Sequence, residues 1–241
     1  MKSHQLVLGY DNNFSNTLRL KAEVYYQYLY DVVAEVSPSS FSVINLGGIL
    51  TSGTPDSLNN SGKGKNYGLE LTFEKFLDKG FYFLFTSSLF DSKYKGSDGV
   101  ERNTAWNGHF VENFLTGKDF ALNKNEAGTH SVKELTFDVR IVYAGGRLYS
   151  PVDVTASMIE GETQYYDDLA FSQRFANYFR ADARAGFRIH GKKITQEWAI
   201  DVQNVTNKKN PLYQRIDLST GEVETVYQLG LFPVAQYRIE F

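Results

Sequence analysis

The sequence predicts an all-β fold, an antiparallel transmembrane β-barrel wall of about nine long strands with short turns on one rim and long loops on the other. Three observations carry that expectation. Apolar and polar residues alternate at period two in segment after segment, the connections are short and long by turns, and aromatic residues abound in a chain that is polar on average. The 241 residues include 18 Phe and 16 Tyr but only 2 Trp and 5 Pro. Hydrophobic residues make up 42%, yet the mean hydropathy lies on the polar side, as it does when apolar residues are dispersed by alternation instead of gathered in blocks.

The alternation can be followed strand by strand, because successive side chains of a strand point to opposite faces. Ser3 to Asn12 is a weak member. Leu18, Leu20, Ala22, Val24, Tyr26, Tyr28 and Tyr30 then oppose Arg19, Lys21, Glu23, Gln27 and Asp31. Tyr67, Leu69, Leu71 and Phe73 oppose Gly68, Glu70, Thr72 and Glu74. Gly80 to Ser92 and His109 to Leu122 are again weak. In Glu134 to Ala144, Leu135, Phe137, Val139, Ile141 and Tyr143 oppose Glu134, Thr136, Asp138 and Arg140. The clearest case is Tyr178 to His190, with Phe179, three alanines, Phe187 and Ile189 on one face and Arg180, Asp182, Arg184 and Arg188 on the other. From Lys193 to Val205, Ile194, Trp198, Ile200 and Val202 oppose Thr195, Glu197, Asp201 and Gln203. The last strand is read as Tyr227, Leu229, Leu231, Ala235, Tyr237, Ile239 and Phe241 against Gln228, Gln236, Arg238 and Glu240.

Short connections are expected at Ser15-Asn16, Asp78-Lys79-Gly80, Asn123 to Thr129 and Gly191-Lys192. Long ones are expected over roughly 33–65, 93–108, 145–177 and 207–224, rich in Gly, Ser, Asn and Asp. A hairpin with Ser219-Thr220-Gly221 at its tip is expected inside the last. A soluble β-sandwich also alternates, but its strands average five or six residues, about half the expected length here. Two alternatives stay open beside the barrel: a soluble or surface β-rich ligand-binding module, and a small passive pore or adhesin barrel.

Several chemistries are disfavoured. With no Cys there are no disulfides, thiolate metal sites or cysteine nucleophiles. A net charge of −3 gives no overall attraction to nucleic acid. No run approaches the ~20 apolar residues of a membrane-spanning helix. Met1 to Gln5 lacks the apolar stretch of a secretory signal, so a barrel reading expects the sequence to be less than the whole gene product. His4, His109, His130 and His190 lack ligand spacing, so neither a metal nor a cofactor is expected. Gly62-Lys63-Gly64-Lys65 lacks the spacing of a phosphate loop and is read as a flexible loop end. Glu70 and Glu74 on a solvated wall do not suggest acid and base catalysis, and no enzyme activity is expected.

Certain segments resemble a known family. Asp201-Val202-Gln203-Asn204-Val205-Thr206-Asn207, Tyr227 to Val234 and Tyr237-Arg238-Ile239-Glu240-Phe241 look like the end of TonB-dependent receptors, particularly those of Bacteroidetes-type bacteria. Tyr143-Ala144-Gly145-Gly146-Arg147-Leu148-Tyr149-Ser150-Pro151 resembles a strand-to-loop junction of the same receptors, and Tyr67 to Leu71 is a similar, weaker match. The resemblance implies that residues 1–241 are the carboxy-terminal portion of a barrel of about 22 strands with a plugged lumen. It implies the bacterial outer membrane, and import of a siderophore or other metal chelate, a vitamin or an oligosaccharide. The implied partners are outer-membrane lipid, the protein's own plug domain and remaining strands, the TonB energy complex reached through the plug, and the barrel-assembly machinery. Neither a plug nor a TonB-contacting segment is present in these residues.

Three groups of site residues follow. By the resemblance, Tyr237, Ile239 and Phe241 form the assembly signal. Arg180, Asp182, Arg184, Arg188, Glu197 and Asp201 are expected on the lumen-facing wall, with the arginines opposite the carboxylates of the next strand. Trp106, Arg147, Tyr149, Tyr165 and Tyr166 are the candidates for ligand binding, since stacking and forked donors suit sugars and chelates; the plain alternative is an aromatic girdle.

Overall fold

The structure is a computed structural model that describes residues 1–47, 55, 57–123 and 131–241. Among these, nine long strands form one antiparallel sheet: β1 (Lys2–Ser15), β2 (Leu18–Glu35), β3 (Leu58–Asp78), β4 (Phe81–Lys95), β5 (Phe110–Ala121), β6 (Val132–Ala144), β7 (Tyr178–His190), β8 (Thr195–Gln203) and β9 (Phe232–Glu240). Each pairs with its successor in the chain. The sheet is not a closed barrel: β1 pairs only with β2 and β9 only with β8, which leaves an open edge on each side.

The register carries the alternation across strand after strand. One row runs Ala22, Leu71 and Ser87, and another runs Phe120, Leu135, Phe187, Trp198 and Tyr237. The result is a broad apolar face whose large side chains are exposed, among them Leu8, Val24, Leu69, Phe114, Phe137 and Ile200. Among the described residues no second layer covers this face. The weak alternation of β4 has a visible cause, since Leu84 and Phe90 share the polar face with Tyr82, Thr86 and Ser88.

The short connections fall on one rim. Between β3 and β4 the turn residues Lys79 and Gly80 both have positive φ, 50° and 72°, as the tight hairpin turn that matches strand twist demands. The expected turn from Asn123 to Thr129 lies almost wholly outside the described residues. The long connections fall on the other rim, and here the structure corrects two readings. β3 begins at Leu58, so Gly62-Lys63-Gly64-Lys65 is strand and not a loop end. Gly62 pairs with Val32, and Gly64 with Leu29 and Tyr94. A Cβ on Gly64 would lie 2.7 Å from Ile44 Cδ1, so the glycines make room for packing on one face while the lysines take the other. Only residues 36–57 remain to connect β2 with β3.

The second correction concerns the carboxy-terminal strand. It starts at Phe232, whereas Tyr227 belongs to a separate hairpin of Pro211–Asp217 with Glu222–Tyr227. Leu229 and Leu231 lie between the two. Asparagines hold this region: Asn204, at φ 51°, donates through Nδ2 to the carbonyls of Lys208 and Leu229, and Asn207 Oδ1 accepts from the amide of Leu231 at 3.0 Å. Asn210 bonds both backbone groups of Phe179 through its amide, as a neighbouring strand would. The hairpin tip does fall at Leu218 to Gly221, as expected.

The buried core lies among the long connections and not between sheets. Tyr94, Ala105, Leu148, Ala170 and Phe171 pack together with Ile44 against them. A short helix α1 (Val154–Glu160), capped by the Asp153 side chain on the Ala156 amide, sits in the third connection. No helix among the described residues is long and apolar enough to cross a membrane.

Candidate functional site

The loop layer brings residues from distant parts of the chain to one small polar cavity of about 80 Å³. Ser40 and Ser42 come from the first long connection, and Tyr165, Tyr166, Asp167 and Phe171 from the third. Asp167 ties the two together: it accepts from the Ser40 amide at 3.0 Å and from the Ser40 hydroxyl at 2.5 Å. Asn45, 1% exposed, accepts from the Ala105 amide at 2.9 Å, which anchors the second connection to the first. Its Nδ2 has no hydrogen-bond partner among the described residues.

Of the five expected ligand-binding residues, Tyr165 and Tyr166 line this cavity and the others do not. The Tyr165 hydroxyl donates to the Gln214 carbonyl at 2.9 Å, which joins the third connection to the hairpin of the fourth. Burial pushes its ionisation upward. Trp106 is exposed and turns its indole N–H to the Ile44 carbonyl at 3.4 Å. Tyr149 is stacked on Phe175 at 4.1 Å. Arg147 is half-buried beside that ribbon, where its carbonyl accepts from the Phe175 amide.

Arg174 is a residue the sequence reading missed. Its guanidinium donates to the carbonyls of Asn107 (2.8 Å), Gly146 (2.9 Å) and Gly108 (3.2 Å). It clamps the second connection to the third, and burial lowers its pKa. The glycines of the junction after β6 serve the same closure, since a Cβ on Gly145 would collide with the Gly108 carbonyl. No sequence signal singles out Arg174, Asn45 or Asp167, because their partners lie tens of residues away.

The wall charges do share one face. Arg188 stands opposite Glu197, and Arg184 opposite Asp201. The ion pairs, however, converge on Glu197, which receives Arg184 (3.1 Å), Arg188 (3.4 Å) and Arg238 (3.8 Å). Arg184 turns away from its register partner Asp201, placing its other nitrogen 2.9 Å from Gln236. Arg180 pairs with Asp182 along its own strand at 2.6 Å. His190 lies 3.1 Å from Glu134, adjoining the same cluster. No group of three or more metal-ligating side chains occurs among the described residues, and His130 lies outside them.

At the end of the sheet, the Tyr237 ring lies 5.2 Å from Trp198 and its hydroxyl bonds Gln196 at 2.9 Å. Ile239 is exposed on the same apolar face and Phe241 is fully exposed. No protein-family model matches the chain, and no curated protein matches it.

Proposed function

We propose that the chain is a sector of the wall of an outer-membrane β-barrel receptor, of the TonB-dependent kind, through which a scarce ligand is taken up. The observation that carries this reading is the apolar face. It extends over nine successive antiparallel strands, its large side chains are exposed, and nothing among the described residues covers it. Hydrocarbon is the solvent that suits such a face, and an antiparallel sheet can lie in hydrocarbon only when its edges are paired. The open edges at β1 and β9 are accordingly joined by further strands of the same barrel. The polar face, with its Arg and Glu networks, then looks onto the lumen and a plug, and the loop layer lies outside the cell. A metal chelate, vitamin or oligosaccharide is the ligand class, received by the loops around Tyr165 and Tyr166.

The test uses single cysteines, since the chain has none of its own. Spin labels at Leu69, Phe137 and Ile200 are expected to be reached by oxygen dissolved in the bilayer. Labels at Glu70, Asp138 and Asp201 are expected to be reached by a water-soluble nickel chelate. Equal access of the chelate to both sets, in a protein that stays monomeric without detergent, overturns the proposal.

A further inference from the structure

We infer that the outward side of β3 and β4, at the long-loop rim, is a binding site for the phosphate-bearing headgroup of a membrane lipid, whose acyl chains run down the apolar face below it. The inference rests on the membrane reading above. Lys63 stands directly opposite Lys95, and Lys65 directly opposite Lys93. Because Gly62, Gly64 and Tyr94 occupy the buried face, all four ammonium groups lie on the other one, the same face as Tyr67, Leu69 and Leu89. Like charges facing one another across a strand pair are unfavourable, and here two such pairs are adjacent.

The local carboxylates do not balance them. Glu101 lies 3.1 Å from Lys65, and Asp91 lies 3.9 Å from Lys93 while also accepting from the Tyr67 hydroxyl. Lys63 and Lys95 are exposed and have no ion pair among the described residues. Between the lysines is a groove of about 290 Å³, floored at one side by Tyr28. The tyrosine row Tyr26 and Tyr67 lies one register step toward the apolar band, at the level where aromatic rings meet a membrane interface. A doubly charged phosphomonoester seated here would offset the positive charge of four lysines that two carboxylates leave in excess, and its chains would find Leu69 and Leu89 beneath. The alternation Gly-Lys-Gly-Lys thus makes an anion site from side chains on a strand, with no phosphate loop.

The experiment measures lipid retention by the full-length protein in a zwitterionic detergent, using native mass spectrometry and thermal unfolding, with phosphatidic acid and phosphatidylcholine of identical chains. The wild type is expected to retain phosphatidic acid at least about tenfold better than phosphatidylcholine and to unfold at a higher temperature in its presence. The K63Q/K65Q/K93Q/K95Q variant is expected to lose both effects, yet without lipid to be at least as stable as wild type, because the repulsion is gone. The corresponding four-arginine variant is expected to keep both. Equal retention of the two lipids by the wild type, or an undiminished preference in the Gln variant, overturns the site while leaving the membrane reading intact. Full displacement by equimolar inorganic phosphate overturns the lipid as the source of the anion. Failure to retain either lipid, in a protein that needs no detergent, overturns both the site and the membrane reading.

Discussion

Tyr82 of β4 donates its hydroxyl to Asp138 of β6 at 2.6 Å, reaching across the strand that separates them. The register places Gly117 of β5 between the two. A Cβ there would lie 2.5 Å from the Tyr82 ring and would also strike the Asp138 carboxylate. A strand glycine is ordinarily a weak point, and a ring laid over it restores the missing packing. Gly68 is also tightly enclosed: a Cβ there would come within 2.6 Å of the Leu89 carbonyl oxygen and 2.9 Å of the Tyr25 hydroxyl.

Gly117→Ala is therefore expected to destabilise the sheet by about 1–3 kcal/mol, the usual cost of forcing a group into a filled site. Tyr82→Phe, which removes only the hydrogen bond, is expected to cost about 1 kcal/mol. Denaturant unfolding of the two single variants and the double variant checks this, with a double-variant cost well below the sum because both act on one contact.

The two acidic residues of β8 are expected to behave differently although both face arginines. Glu197→Ala removes the carboxylate shared by three guanidinium groups and is expected to cost about 1–3 kcal/mol, less than a fully buried case because the arginines remain partly wet and keep Glu134, Gln236 and Glu240 as partners. Asp201→Asn is expected to fall within about 0.5 kcal/mol of wild type. Unfolding midpoints at matched ionic strength distinguish them, and equal losses would contradict the convergence on Glu197.

Removing the Arg174 clamp is expected to loosen the loop layer without disturbing the wall. Arg174→Ala leaves the carbonyls of Asn107, Gly108 and Gly146 without their donor, a loss of roughly 1.5–3 kcal/mol. Hydrogen exchange is expected to quicken over 96–109 and 145–177 and to stay unchanged in β7 and β8. Arg174→Lys is expected to recover little, because an ammonium lacks the planar fork that spans three acceptors.

At Tyr165 the sign of the pH effect is fixed by burial. A hydroxyl whose folded pKa is raised contributes stability that is fully present below its unfolded value of about 10 and is lost as pH rises through the folded value. Above pH about 10 the wild type is expected to lose stability more steeply than Tyr165→Phe, which at neutral pH is the less stable by about 1 kcal/mol. Unfolding followed from neutral to alkaline pH tests the difference in slope.

On the outer-membrane reading, deleting Phe241 from the full-length protein is expected to lower its folded amount in that membrane, read as the fraction that migrates as folded protein without boiling. Phe241→Trp is expected to keep most of it. Unchanged levels after deletion would remove the assembly role from the terminal aromatic.

Period-two alternation was enough to locate nine strands because most of them carry large apolar side chains at every second position along one face. It misled where a small residue stood in for a large one. Gly62 and Gly64 read as loop because a glycine shows no side chain to classify, yet they pack tightly against Val32, Leu29 and Ile44. Tyr227 to Leu231 continued the alternation of the last strand, and only the long-range hydrogen bonds of Asn204, Asn207 and Asn210 detach it. The cavity was legible in part. Tyr165 and Tyr166 stand out as neighbouring aromatics, whereas Asn45, Asp167 and Arg174 acquire their meaning from contacts across dozens of residues.

Nine antiparallel passes leave residues 1 and 241 at opposite rims: Lys2 pairs with Tyr30 near the long connections, and Glu240 with Thr195 near a short one. An odd traverse gives the chain a direction. On the membrane reading, an epitope placed before Lys2 and another placed after Phe241 would report two different compartments, one open to antibody on the intact cell and the other reached only once the envelope is breached.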